Sequence, residues 1–224
     1  MYATATYRTA SEINSAMARV YGHMSLAVLT SMIVSYIVGT STALMQFFHT
    51  GIMHWIVILA PLAAIFAITF MMEKVGKAGA QLMLHGFAAL MGLSFATIFV
   101  VYNMGSIASA FMGAAILFAV MSGYGYFTKK DLSGLGSLLF VGLIAIIIAS
   151  VVNIFIGSTV FQMVISAIAI VIFLGLTAYD TQRIREEVTM ENNGIAEIRG
   201  ALTLYLDFIN LFLSLLQLFG ERKD

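Results

Sequence analysis

The sequence predicts an all-α, polytopic membrane protein with seven transmembrane helices. Apolar residues make up 61% of the 224 residues and charged residues only 10%, and the mean hydropathy is +0.98. A soluble domain of this length needs far more charge to cover its surface. Seven apolar runs, each long enough to cross a hydrocarbon core of about 30 Å, account for most of the chain.

The apolar runs set the predicted domain organisation. They fall at 20–43, 52–72, 79–101, 106–127, 134–157, 160–181 and 198–219. We therefore expect a cytoplasmic N-terminal segment (1–19), a seven-helix transmembrane domain (20–219) and a C-terminal tail (220–224). The joins are short except the sixth, which is polar from Gln182 to Glu197 and contains the turn signal Asn192-Asn193-Gly194.

The basic residues predict the orientation. They fall before the first span and in alternate connectors, at Arg8, Arg19, Lys74, Lys77, Lys129, Lys130, Arg183, Arg185 and Arg199. The connectors 44–51, 102–105 and 157–159 contain no Lys or Arg. Basic loops stay in the cytoplasm, so the N-terminus is predicted to be cytoplasmic. Seven full crossings would then place Arg222 and Lys223 on the far side, unless the seventh segment is re-entrant.

Several classes of function are disfavoured by what the sequence lacks. There is no cysteine, which excludes thiolate metal sites, and the net charge of zero argues against a nucleic-acid partner. No HExxH, Walker or Gly-x-Ser-x-Gly pattern occurs. His23, His49, His54 and His85 have no second ligand at helical spacing, so each is predicted to be hydrogen-bonded or interfacial rather than a metal ligand.

Two acids fall within or at the end of an apolar run, whereas the others, Glu197 among them, are assigned to tails and loops. Asp180 ends the sixth span and Asp207 lies inside the seventh. An unpaired carboxylate at membrane depth costs several kcal/mol, which marks both as functional residues. If both arms of the last hairpin are helical, each acid lies roughly 18–20 Å from the turn. The two carboxyl groups are therefore predicted to meet.

A polar stripe runs along the seventh span. Its members recur every three or four residues, at Gly200, Thr203, Asp207, Asn210, Ser214 and Gln217, and so share one helix face. Such a face needs a protein interior or a wet cavity. We therefore predict that the other six helices surround the seventh, with Thr203, Asn210, Ser214 and Gln217 lining a pore. Interhelical hydrogen bonding alone remains the alternative for Thr203 and Ser214.

Two facing carboxyl groups suit two tasks. Like charges close together cannot both ionise cheaply, so such a pair shares a proton and can sense pH. Carboxylate oxygens also suit Ca²⁺, although two Asp side chains fall short of its six to eight ligands. Transient contact fits conduction better than storage, since a conducted ion must leave again. Asp180 and Asp207 are thus predicted to sense pH and to contact calcium transiently.

An acid in each of two consecutive spans also describes intramembrane aspartyl proteases. Tyr179-Asp180 resembles the first half of their signature, but the second half should read Gly-x-Gly-Asp, and here Leu204-Tyr205-Leu206-Asp207 stands instead. Their Pro-Ala-Leu element is also missing. We therefore do not expect an enzyme.

The last two spans carry a family resemblance. The runs are Thr177-Ala178-Tyr179-Asp180-Thr181-Gln182 and Leu204-Tyr205-Leu206-Asp207-Phe208-Ile209-Asn210-Leu211-Phe212-Leu213. They resemble the C-terminal signature of the Bax inhibitor-one (transmembrane Bax inhibitor motif) family. The resemblance implies six helices around the last, a pH-sensitive calcium leak gated by the dyad Asp180 and Asp207, and a bacterial inner-membrane member. Some bacterial relatives are described as modulators of a membrane-bound AAA protease, and eukaryotic ones as suppressors of cell death.

The sequence thus favours a pH-sensitive passive calcium (cation) leak channel gated by an intramembrane aspartate dyad. The expected partners are membrane lipid, protons and calcium, with calcium as the transported ion and no resident cofactor. One alternative is a non-conducting membrane regulator of a membrane-bound protease or stress response, which would dock through residues 1–19. Another is a proton-coupled transporter for a small solute.

Overall fold

The computed structural model describes residues 8–191 and 194–223, and these residues are almost entirely helical. Within them the helices are α1 (Ala10–Gly39), α2 (Thr42–His49), α3 (Gly51–Met71), α4 (Gly76–Phe95), α5 (Ile98–Val101), α6 (Met104–Phe127), α7 (Ser133–Ile156), α8 (Thr159–Met190) and α9 (Ile195–Phe219). No strand occurs in the described part of the chain, apart from a single bridge between Tyr102 and Arg222.

Seven segments are long and apolar enough to cross a membrane, as the sequence predicts. Six are single helices, and the third combines α4 and α5 as Gly76–Val101. The α2 helix is an addition to the prediction, in which 44–51 is a connector. The first helix begins at Ala10, where the Thr9 hydroxyl and the Glu12 side chain form a reciprocal capping box. Residues 1–7 of the predicted N-terminal segment lie outside the described residues.

The sixth join is shorter than predicted. The α8 helix continues to Met190 and α9 begins at Ile195, so most of the segment predicted as a polar loop is helical. The extension is amphipathic, since Ile184 and Val188 are buried while charged residues face outwards. Polar composition therefore marks the end of the apolar run and not the end of the helix. Gly194 has a φ of 73°, which suits a turn, whereas Asn192 and Asn193 lie outside the described residues.

The chain divides into two compact units, and the first consists of Met1–Asn103, Glu187–Tyr205 and Arg222–Asp224. Its α1 and α4 helices pack closely. The Ser31 hydroxyl of α1 donates to the Ala88 carbonyl of α4 at 2.8 Å and shares a 2.6 Å hydrogen bond with the Tyr205 hydroxyl. Ala88 and Gly92 thus serve packing within this unit, which is the expected use of small residues spaced four apart.

The two ends of α9 lie against opposite ends of the third span. At its N-terminal end, Gly194 lies against the Lys77 side chain, beside the start of α4. Beyond its C-terminal end, the Lys223 N–H donates to the Val101 carbonyl and the Lys223 Nζ to the Phe99 carbonyl. The seventh segment therefore crosses the same distance as the third and is not re-entrant. These carbonyls at the C-terminal end of α5 also provide a favourable site for the Lys223 charge.

The second unit consists of Met104–Glu186 and Leu206–Glu221. Here α9 packs on α6 through aromatic rings: Phe208 lies edge-on to Phe111 and Phe118, and Phe212 lies edge-on to Phe111. The α7 and α8 helices also pack closely, because Gly142 faces Ile172 and Gly175 faces Leu139.

The seventh span is by far the most buried. Of its most apolar window, 61% is buried, compared with 6% to 33% for the other six spans. This difference is what a central helix requires. The arrangement of six helices around the seventh stays a prediction.

We expect Gly92→Ala to destabilise the protein by about 1–3 kcal/mol. A Cβ at Gly92 would lie 2.7 Å from the Ser31 carbonyl oxygen, so α1 and α4 would have to separate. The matched control is Gly86→Ala on the same helix, where a Cβ meets nothing within 4 Å and should be neutral or slightly stabilising. Thermal unfolding in detergent measures both, and equal melting temperatures would contradict the packing argument.

Candidate functional site

Asp207 lies in an apolar environment at the middle of a membrane span. It is the central residue of the 25-residue helix α9 and is 4% exposed. Its neighbour Phe208 fills the space towards α6, with ring centroids 5.3 Å from Phe111 and 5.7 Å from Phe118. A charge at this position is poorly solvated, so the carboxyl group needs a partner or a proton.

The partner is Asp180 of α8, which is 6% exposed. The structure brings the two carboxyl groups within hydrogen-bonding reach of each other. A carboxylate can only accept hydrogen bonds, so a bond between two carboxyl groups requires a proton on one of them. Two carboxyl groups in such contact can share a proton. The assigned roles in pH sensing and ion contact stay predictions.

One cation lies beside this pair. The Arg183 Nη2 is 3.3 Å from the Asp180 Oδ1, one helical turn away on α8, and its guanidinium also lies 5.8 Å from the centre of the Tyr179 ring. The Arg183 side chain is 43% exposed, so solvent screens the attraction and limits what the ion pair contributes. Asp207 Oδ2 is buried and finds no hydrogen-bond partner among the described residues.

The pair has too few ligands for a resident calcium ion. In the described part of the chain, no group of three or more His, Cys, Asp or Glu is placed to hold a metal. Two carboxyl groups offer at most four oxygens, whereas Ca²⁺ takes six to eight. At least two ligand positions of a calcium ion at this pair would therefore fall to water or to backbone carbonyls.

Close glycine contacts fix the segment that carries Asp180. Gly125 of α6 lies directly on the Ala178 backbone, and any Cβ there would overlap the Ala178 carbonyl. Gly136 of α7 lies on the Tyr179 ring, where a Cβ would be 2.5 Å from the nearest ring carbon. Two neighbouring helices thus hold the residues just before Asp180, and side chains in place of these glycines would push α8 away.

Hydrogen bonds fix the segment after Asp180. Thr181 is fully buried and its hydroxyl lies 3.0 Å from the Ser122 hydroxyl of α6. The Gln182 side chain accepts from the Leu132 N–H at 2.8 Å and donates to the Lys130 carbonyl at 2.9 Å. A single amide thereby ties the connector between α6 and α7 to α8.

Asp131 orders the same connector. Its Oδ1 accepts a 2.8 Å hydrogen bond from the Ser133 N–H at the start of α7. Hydrogen bonds from the Ser133 side chain and backbone hold the pKa of Asp131 below its ordinary value. Asp131 is exposed and lies outside the carboxyl pair, which makes it a suitable control residue.

Three of the four predicted pore-lining residues donate hydrogen bonds within α9 itself. Thr203, Asn210 and Ser214 each donate to the carbonyl four residues earlier in α9. Gln217 differs, because its Oε1 accepts from Gln162 at 2.8 Å and from Ser166 at 3.1 Å, both on α8. The donors of the first three side chains are thus used within α9, while their oxygens can still accept a hydrogen bond, so the interhelical alternative for Thr203 and Ser214 stays open. Their pore-lining role stays a prediction.

Glu197 forms a buried ion pair that is not predicted from the sequence. It lies in the first turn of α9, is 1% exposed, and accepts from Arg19 Nε at 2.8 Å and Arg19 Nη2 at 2.7 Å. Arg8 adds a contact at 3.3 Å. Sequence shows an acid at a helix N-terminus, a favourable place for it. The two arginines are 178 and 189 residues away, so the pairing could not be read from the sequence.

Seven apolar spans define a polytopic membrane protein, and its last two spans carry a buried pair of carboxyl groups, Asp180 on α8 and Asp207 on α9. Comparison with known proteins gives the family. A family model described as "Inhibitor of apoptosis-promoting Bax1" matches residues 13–224. The chain therefore belongs to the Bax inhibitor-1 family, as the signature residues of α8 and α9 suggest.

The relatives match over nearly their full length. The chain is 41% identical over 214 residues to the "Inner membrane protein YbhL" of Escherichia coli strain K12, covering 92% of each protein. It is 34% identical to an uncharacterized protein of Deinococcus radiodurans, covering 97% of this chain and 94% of the relative. A Borreliella burgdorferi protein is 37% identical over 94% of both.

We expect Gly125→Ala to destabilise the second unit by about 1–3 kcal/mol, because the new methyl group would overlap the Ala178 backbone. Gly123→Ala on the same helix is the matched control, since a Cβ there meets nothing within 4 Å. Thermal unfolding in detergent measures the difference. An unchanged melting temperature for Gly125→Ala would show that α6 does not constrain the Asp180 segment.

We expect Glu197→Gln to cost about 1–2 kcal/mol, because it removes the counter-charge of the buried Arg8 and of Arg19, whose half-exposed side chain solvent partly screens. Glu186→Gln, at an exposed position on α8, should change stability by less than about 0.5 kcal/mol. Chemical or thermal unfolding of the purified protein compares the two. If Glu197→Gln is as stable as Glu186→Gln, the ion pair contributes nothing to the fold.

Proposed function

We propose that this protein is a passive, pH-sensitive cation leak in the bacterial inner membrane, with calcium as its main ion and the Asp180–Asp207 pair as its gate. The observation that carries the proposal is the contact of two buried carboxyl groups within membrane-spanning helices. The name of the Escherichia coli relative supports the membrane assigned here.

The shared proton links α8 to α9. While one carboxyl group is protonated, it donates to the other, and the two helices are joined at this point. Loss of that proton leaves two like charges close together in a poorly solvated place, which is costly. The cost is relieved if the carboxyl groups separate or if a cation moves between them. The protonation of one pair would thus set both the spacing of two helices and the affinity for a cation.

The ion contact would be brief. Two carboxylates favour a hard divalent cation with oxygen ligands, and an ion held by so few protein oxygens keeps most of its water. Weak binding of this kind permits exit, which a passive leak requires. The absence of a third nearby acid in the described residues therefore fits a conduit better than a calcium store.

The alternative function, a non-conducting regulator that docks a membrane protease through its N-terminal segment, has less support. From Arg8 onwards this segment belongs to the fold: it is helical from Ala10, and Arg8 and Arg19 both contact Glu197. A variant that lacks residues 1–7 keeps these contacts. The regulator function would be supported, in place of the leak, by two results together: the intact chain conducts no calcium, and a protease that co-purifies with the intact chain is lost from this variant.

The test is calcium flux into liposomes that contain the purified protein, measured with an entrapped indicator over a series of pH values. The wild type should conduct calcium in a pH-dependent way. Asp207→Asn and Asp180→Asn should each flatten the pH dependence and change the flux at least severalfold, because each removes one titrating member of the pair.

Asp131→Asn is the matched control, since it makes the same chemical change at an exposed residue and keeps an oxygen for the Ser133 N–H. It should behave as wild type. Flux and pH dependence that survive Asp207→Asn would overturn the mechanism, and a wild-type protein without flux would overturn the function.

A further inference from the structure

A pair of histidines lies where α2 meets α3, in the first unit and apart from the carboxyl pair. His49 is the last residue of α2 and His54 lies in the first turn of α3. Between them Gly51 has a φ of 58°, a left-handed conformation that suits glycine and reverses the chain. The turn brings the two imidazole rings to a centroid separation of 6.2 Å with 64° between their planes.

The hydrogen bond of His49 fixes its tautomer. Its Nε2 lies 3.1 Å from the Leu93 carbonyl oxygen. A carbonyl only accepts, so Nε2 carries the hydrogen and the neutral ring has its lone pair on Nδ1. Metal-binding histidines are typically held in this way, with the nitrogen that does not bind the metal donating to a backbone carbonyl.

Both Nδ1 atoms lack a partner. Within the described residues only three buried side-chain polar atoms make no hydrogen bond, and two of them are the Nδ1 atoms of His49 and His54. Buried polar atoms are nearly always paired, so two unpaired nitrogens on adjacent rings need an explanation. A metal ion shared by both would satisfy them together.

The ring separation fits such an ion. Metal–nitrogen bonds of about 2.0–2.1 Å place two imidazole centroids on one metal roughly 5–6.5 Å apart, depending on the angle at the metal. The observed 6.2 Å corresponds to an angle of about 150°, so the two rings would approach each other by about 1 Å to reach the tetrahedral angle of Zn²⁺. Residues 42–58 contain no Asp, Glu, Lys or Arg. The site therefore offers nitrogen without carboxylate, which suits Zn²⁺, Cu²⁺ or Ni²⁺ and not Ca²⁺ or Mg²⁺.

We propose that His49 and His54 bind a borderline divalent transition metal such as Zn²⁺ through their Nδ1 atoms, with the remaining coordination positions open to water. This site is additional to the proposed cation leak and uses different chemistry. By the distribution of basic residues, it lies on the non-cytoplasmic side.

The test uses the full-length protein, purified without a polyhistidine tag, stripped of metal by a chelator and titrated with Zn²⁺ by calorimetry. We expect one Zn²⁺ per chain. His49→Gln and His54→Gln should each weaken binding at least tenfold. His85→Gln is the matched control, because His85 bonds to Thr30 on α1 and should be dispensable. Saturable binding that depends equally on His85, or no one-to-one binding at all, would overturn the proposal.

Two measurements on the wild-type chain need no variant. X-ray absorption of the Zn²⁺-loaded protein should show nitrogen and oxygen neighbours with the scattering pattern of two imidazole rings; a spectrum without imidazole scattering would overturn the assignment. Excess Ca²⁺ should leave the Zn²⁺ affinity unchanged. Displacement of Zn²⁺ by Ca²⁺ would instead place the metal at carboxylates, against the proposal.

Discussion

The need to bury two carboxyl groups in the middle of a membrane protein is the constraint on which this structure depends. Asp180 and Asp207 are 6% and 4% exposed, and a second charge so close to the first would be costly. A single proton shared between them, as we propose, would lower this cost. The contact holds only while α8 and α9 keep their relative position, so features of the second unit that fix these helices also maintain the pair.

Those features act by close approach and by hydrogen bonding. Gly125 and Gly136 let two helices touch the backbone and ring just before Asp180, and Gln182 ties a connector to α8 just after it. On the α9 side, Phe208 and Phe212 pack on α6 without any polar contact. The pair is thus positioned by close helix packing together with a few hydrogen bonds around Asp180.

Some residues could be read from the sequence because their signal is local. The seven spans follow from length and hydropathy, and the meeting of Asp180 with Asp207 follows from their equal distances to one turn. Other residues could not. In the sequence Glu197 is assigned to a loop, whereas in the structure it is buried against Arg8 and Arg19 from the other end of the chain. His49 and His54 have no metal-binding helical spacing, because a turn at Gly51 brings them together.

The sequence by itself therefore determined that the protein lies in lipid and how many spans it has, since both follow from composition. It also determined the level at which the two acids meet, since the rise per residue of an α-helix is the same in every protein. The tertiary structure decided which polar atoms are satisfied. It gave Glu197 two arginines, extended α8 through a segment that looks like a loop, and left two histidine nitrogens without partners. The first and the last of these outcomes depend on contacts between residues that are distant in the chain or joined by a turn, about which hydropathy and spacing carry no information.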